Sequence, residues 1–214
     1  MYEKYGQFTD GKWHKSSNGE TYEVINPANE EVLGQASKAS PEDVNKALLS
    51  AQKGLEVWRK TPPWQRAYIL RRIADKMREK QDILAKWMTL EVGKPFAEAK
   101  GEVNGAADIY EWNAEETKRI YGQTVESRFE DTRVHVYYQP VGVVAALVPW
   151  NFPLVLSARK ISTALAAGCS VIVKPDVITP GVVMEQVEIC RECGVPPGVV
   201  TVSYTHLRAH ETQD

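Results

Sequence analysis

The sequence predicts an α/β fold, an incomplete doubly wound parallel sheet preceded by N-terminal strands and helices. Three observations predict it. Residues 40–120 carry apolar side chains at helical spacing in four successive stripes. Near residue 132 the period drops from 3.6 to 2, the change from helix to strand. Beyond Pro140, runs of Val and Ile alternate with helical segments, as in a parallel sheet whose strands are buried.

The first forty residues read as strands and turns. Asp10-Gly11 is a hairpin turn between Gly6–Thr9 and Lys12–His14. Asn26-Pro27 marks another turn. Ser40-Pro41-Glu42-Asp43 opens the first helix with an N-cap, a proline at the first helical position and acid in the first turn. Val44, Ala47, Leu48, Ala51, Leu55 and Trp58 form its apolar stripe. Thr61-Pro62 starts a second helix, with Ala67, Leu70, Ile73, Ala74 and Met77 inside. A third covers Ile83 to Val92 and ends at Gly93, before Pro95. A fourth runs from Phe96 to Ile120 on a stripe of Ala99, Val103, Ala106, Ala107, Tyr110 and Ala114. Thr132, Val134, Val136 and Tyr138 then alternate with Arg133, His135, Tyr137 and Gln139, a strand pattern. The order continues as strand (Val141–Val148), helix (Phe152–Ala167), strand (Ser170–Lys174), helix (Gly181–Cys193) and strand (Val199–Val202). Only the first three strands of the parallel sheet are present, and no repeat is visible.

Composition narrows the function. A net charge of −2 gives no electrostatic case for nucleic acid or an acidic membrane surface. The longest apolar run, Val141 to Pro149, is far too short to span a bilayer. Met1-Tyr2-Glu3-Lys4 lacks the basic start and apolar core of a signal peptide. Three cysteines make no disulfide framework, so a reducing, cytoplasmic location is expected. Cys169 reads as a small buried residue. Cys190 and Cys193 form a lone C-x-x-C, half of a four-ligand metal set, and read as structural; no metal is expected. His14 and His135 read as surface or sheet-packing residues.

A parallel sheet offers ligands the C-terminal ends of its strands. Two such ends stand out, Val148-Pro149-Trp150-Asn151-Phe152-Pro153 and Lys174-Pro175-Asp176-Val177-Ile178-Thr179-Pro180, each a strand running into a proline-fixed turn before a helix. The side-chain amide of Asn151 could stabilise an oxyanion or could cap the following helix. Lys174 could bond a sugar hydroxyl or phosphate, or be a solvated charge. Neither G-x-G-x-x-G nor G-x-x-x-x-G-K-[ST] occurs, so an ordinary Rossmann fingerprint and a P-loop are unsupported.

Pro149-Trp150-Asn151-Phe152-Pro153-Leu154 resembles the signature of the aldehyde dehydrogenase superfamily. So do Ala166-Ala167-Gly168-Cys169 with Val171-Ile172-Val173-Lys174-Pro175, Glu91-Val92-Gly93-Lys94-Pro95 with Glu98-Ala99, Ala114-Glu115-Glu116 with Tyr121-Gly122, and Gly194-Val195-Pro196-Pro197-Gly198-Val199. The resemblance runs over residues 5–202 with the motifs in register. It implies thiolate attack on an aldehyde, hydride transfer to NAD or NADP, and hydrolysis of a thioester. Asn151 would donate to the oxyanion. The backbone of Val148, Pro149 and Trp150 would line the nicotinamide side, and Lys174, with Pro175, would meet the adenosine ribose. NAD-preferring relatives carry glutamate three residues after this lysine, where this chain has Val177. Asp176 stands one residue earlier, leaving both NADP and NAD open. Arg159 matches the arginine that binds the substrate carboxylate in succinate-semialdehyde dehydrogenases, against the alternative of a structural ion pair. A lactaldehyde-type relative or a non-catalytic dinucleotide-binding fragment is the competing reading.

The resemblance implies the following division. Residues 1–122 are the N-terminal strands and helices of the cofactor-binding domain, 123–139 the oligomerisation-type strands, and 140–202 a partial NAD(P)-binding unit. A non-family tail follows at 203–214. The tail reads as non-native sequence at a truncated gene end. The family's Glu-Leu-Gly-Gly general base and Gly-Gln-x-Cys nucleophile do not occur. The polypeptide alone is therefore expected to be inactive and to leave apolar faces uncovered. The full-length form is expected to take a small aldehyde, succinate semialdehyde above others, and to form a homo-oligomer.

Overall fold

A computed structural model of the chain describes residues 2–203. The predicted tail therefore lies, from residue 204 on, outside the described residues. The amide of Ser203, its first residue, still donates to the Val173 carbonyl at 3.1 Å.

The N-terminal strands are β1 (Gln7–Thr9), β2 (Lys12–His14), β3 (Thr21–Ile25) and β4 (Val32–Ser37). Four helices follow, α1 (Pro41–Trp58), α2 (Pro63–Glu79), α3 (Gln81–Val92) and α4 (Phe96–Thr117). An antiparallel pair, β5 (Gln123–Glu126) and β6 (Arg133–Val136), leads to the alternating unit. That unit is β7 (Val143–Leu147), α5 (Pro153–Ala167), β8 (Ser170–Lys174), α6 (Pro180–Glu192) and β9 (Val200–Val202).

The main sheet has the order β2-β1-β9-β8-β7. Its parallel part is β7–β8–β9, with Leu147 opposite Lys174 and Val173 opposite Val202. The N-terminal hairpin is not a separate layer, as β1 pairs antiparallel with β9 through Phe8 and Val202. Ala146, Val171, Val173 and Val202 are fully buried on one face of the parallel strands. α5 packs on β7 and β8, and α6 packs on β9. α2, α3 and α4 form a further layer, with α4 against α2 and α5 and α3 against α6.

Local chemistry sets the ends of these elements. Ser40 and Asp43 close a full capping box at the start of α1, worth about 1 kcal/mol. Gly93 ends α3 in the left-handed conformation, φ 76°. α1 lies across the β1–β2 turn and the entry to β9. Ser50 Oγ accepts from the Asp10 amide at 2.9 Å, and Trp58 Nε1 donates to the Leu165 carbonyl at 2.9 Å. Gly54 touches Gly198 backbone to backbone; a Cβ on Gly54 would lie 2.1 Å from the Gly198 carbonyl carbon. Two glycines therefore let α1 approach this closely.

One helix end changes, and one strand pair is notable for its exposure. α4 ends at Thr117 rather than Ile120, because Lys118 and Arg119 close it with short-range turns. The alternation at 132–138 does not mark a buried face. Every residue of β5 and β6 is exposed, Val125, Val134 and Val136 included. The pair is an exposed two-stranded ribbon. No helix among the described residues is long and apolar enough to cross a membrane.

Candidate active site

The two strand ends singled out by sequence lie side by side, because β7 and β8 are parallel neighbours in register. The Val148 amide extends the ladder, donating to the Lys174 carbonyl at 3.0 Å. The Val148 side chain is buried, whereas Pro149, Trp150, Asn151 and Phe152 are exposed beyond it.

Asn151 does not cap α5. Phe152 occupies the cap position without a side-chain bond. The amides of Leu154 and Val155 instead donate to Glu102 Oε1 of α4, at 3.0 and 3.1 Å. A carboxylate at a helix N-terminus satisfies orphan donors and meets the positive end of the dipole. Glu102 thus leaves the Asn151 amide without a hydrogen-bond partner among the described residues. Lys94 ties the assembly together. Its ammonium pairs with Glu102, donates to the Asn151 carbonyl at 3.3 Å, and lies 3.9 Å from the centre of the Phe152 ring. Both charges of the Lys94–Glu102 pair are largely buried.

These groups border an open cleft of about 500 Å³, lined by Lys94, Glu98, Glu102, Asn151, Phe152 and Arg159 among others. Arg159 lies two turns beyond Asn151 on α5 and opens into the same cleft. It makes no ion pair among the described residues. Lys160 donates to the Leu147 carbonyl and braces β7.

Lys174, Pro175, Asp176 and Val177 stand outside that cleft, on the neighbouring strand end. The half-buried Lys174 ammonium has one long bond, 3.5 Å to the Pro175 carbonyl, and so keeps donors to spare. Asp176 is committed locally: Oδ1 accepts from the Ile178 amide at 3.0 Å, and its carbonyl accepts from the Thr179 amide at 3.3 Å. Val177 offers no polar group. A ribose hydroxyl suits this donor set, and no carboxylate at 177 repels an added phosphate.

α6 is also held by an acid from another helix. Glu91 of α3 accepts from the amides of Gly181 at 2.6 Å and Val182 at 3.2 Å, and from the Tyr2 hydroxyl at 2.7 Å. Burial pushes its pKa up to about 7, against the lowering effect of those three donors. The roles of Lys94, Glu102 and Glu91 escaped the sequence reading. A signal existed, since Glu91 follows Leu84 and Met88, and Glu102 joins Ala99, Val103 and Ala106, on apolar stripes where an acid needs a partner.

The cysteines lie in the core. Cys169, Cys190 and Cys193 are all buried free thiols, and Cys190 meets the Tyr110 hydroxyl at 3.7 Å. Burial raises the Cys190 thiol to about 12. None of them lines the Asn151 cleft.

The sequence profile of the aldehyde dehydrogenase family matches residues 13–211. The glutarate-semialdehyde dehydrogenase of Pseudomonas aeruginosa is 45% identical over 195 residues, 91% of this chain and 40% of that protein. The NADP-dependent succinate-semialdehyde dehydrogenase of Escherichia coli is 46% identical over 193 residues, covering 90% of this chain and 40% of that protein. Among solved structures, a succinate-semialdehyde dehydrogenase from Burkholderia pseudomallei superposes with a TM-score of 0.93 at 40% identity. It covers 96% of this chain and 42% of its own. The chain thus spans about two fifths of the length of the relatives it matches.

Proposed function

The chain belongs to the aldehyde dehydrogenase family, and from that premise we propose that it forms the N-terminal portion of an NAD(P)-dependent dehydrogenase. The enzyme oxidises a small aldehyde bearing a terminal carboxylate, of the succinate-semialdehyde type, to the acid. One observation carries this reading: the unpartnered Asn151 amide and the unpaired Arg159 guanidinium share one cleft. A preorganised amide donor serves an oxyanion, and a guanidinium fork serves a carboxylate. NAD or NADP, when bound, supplies the hydride acceptor. Lys174 would hold its ribose, and the backbone of Val148, Pro149 and Trp150 would border its nicotinamide end. The relatives named for succinate and glutarate semialdehydes support the substrate class.

The 214-residue polypeptide assayed alone is expected to form no NAD(P)H from succinate semialdehyde, because no thiol faces the cleft. Substrate recognition is tested separately from turnover. In saturation-transfer NMR, succinate should bind the chain and its neutral diamide should not, and Arg159→Gln should abolish the difference. Equal binding of both molecules to the unaltered chain would overturn the carboxylate reading.

A homo-oligomer is the second part of the proposal. The β5–β6 ribbon supports it, since Val125, Val134, Val136, Tyr137 and Tyr138 leave apolar surface open on a two-stranded edge.

A further inference from the structure

Glu91 has none of its surface exposed, and no cation pairs with it among the described residues. Its three bonds point in two directions. Two reach forward to Gly181 and Val182, the residues at the exit of the turn that begins at Lys174. One reaches back to Tyr2, in the segment that precedes β1. Gly181 is fixed from the other side as well. A Cβ there would come within 2.2 Å of the Trp87 ring and 2.7 Å of Glu91 Oε1, so the seat admits glycine alone. Trp87 in turn meets the Tyr2 ring edge-on, 5.1 Å between centroids. Within the turn, Asp176 ties only residues 178 and 179. The first amides of α6 are held by Glu91. Keeping an unpaired carboxylate in the interior carries a desolvation cost that a serine or threonine cap would avoid.

We propose that Glu91 and Tyr2 are positioning residues for the β8–α6 turn, which through Gly181 and Val182 set the shape in which Lys174 meets the adenosine ribose of a dinucleotide. The proposal rests on the assignment of Lys174 to that ribose. It gives the N-terminal segment a part in cofactor affinity although it touches no cofactor itself.

The test measures ADP binding to the chain by calorimetry for the unaltered protein, Tyr2→Phe, Glu91→Gln and Lys174→Ala. It adds thermal unfolding and amide exchange at Gly181 and Val182 without nucleotide. Tyr2→Phe keeps the ring on Trp87 and drops one bond. It should weaken ADP about 3- to 10-fold while Tm moves by only a few degrees. Glu91→Gln should weaken ADP about tenfold or more and speed exchange at both amides. A lowered Tm with ADP affinity unchanged in both variants, while Lys174→Ala weakens it, would show a merely structural role and overturn the proposal. If Lys174→Ala binds ADP as the unaltered chain does, or neither binds, the ribose assignment is what fails. Exchange then decides for Glu91: protection of Gly181 and Val182 unchanged in Glu91→Gln overturns its hold on the turn.

Discussion

If Lys174 holds the ribose as proposed, Val177 stands where an acid would contest a 2′-phosphate, and the neighbouring Asp176 is partly committed elsewhere. Its Oδ1 already closes a turn on the Ile178 amide. We therefore expect Val177→Glu to shift preference from NADP toward NAD by about tenfold, roughly 1.4 kcal/mol, as read by comparative calorimetry with the two dinucleotides. An unchanged ratio would mean that residue 177 does not face the ribose. The same residue-by-residue logic separates Asn151 from its neighbours. Its role was ambiguous in sequence because an asparagine before a helix reads equally as a cap. The structure answers only the cap reading, through a residue 49 positions away, Glu102, which no local pattern around Asn151 contains.

At the scale of elements, α5 and α6 are each seated by a carboxylate from the helical layer. Glu102→Ala would uncap α5 and leave the Lys94 ammonium buried without its partner. The expected loss is about 3 kcal/mol, or a Tm lowered by roughly 6–12 °C for a chain of this size. Glu102→Gln, which keeps an acceptor, should cost less; equal losses would argue against the cap. Glu91 makes a prediction in pH. Its folded value of about 7 lies above the ordinary 4.5, so the folded state holds a proton that the unfolded state has released between those values. The Glu91 contribution to stability should therefore fall as pH rises from about 4.5 to 7, by at most about 3 kcal/mol, and stay level above. Urea unfolding of Glu91→Gln across that window should show a flatter profile than the unaltered chain. Helix stripes, the Ser40 N-cap and the Gly93 stop were all legible, because each is written in residues close together in sequence. The long-range caps were not, because they join residues 52 and 90 positions apart.

The whole molecule adds what no single element announces. The alternation of β7, α5, β8, α6 and β9 predicted the parallel sheet, yet not that β1 would extend it, since pairing partners on an edge leave no mark in either strand. The ribbon at 123–136 was legible as strands, but period 2 alone cannot tell a buried face from one awaiting a partner. If it is an assembly surface, a double substitution Val134→Lys, Val136→Lys should reduce the mass measured by light scattering. An unaltered chain that is monomeric at tens of micromolar would refute that role. The paired caps carry one more consequence. A helix N-terminus is the common seat for a phosphate, and here the two seats beside these strand ends already hold an acidic side chain of the protein, Glu102 at α5 and Glu91 at α6. An incoming pyrophosphate would meet carboxylates where other nucleotide folds offer bare amides. On the proposed placement of the ribose at Lys174, a dinucleotide over these strand ends would carry its phosphates clear of both helices. Inorganic pyrophosphate should therefore be a poor competitor for ADP on this chain.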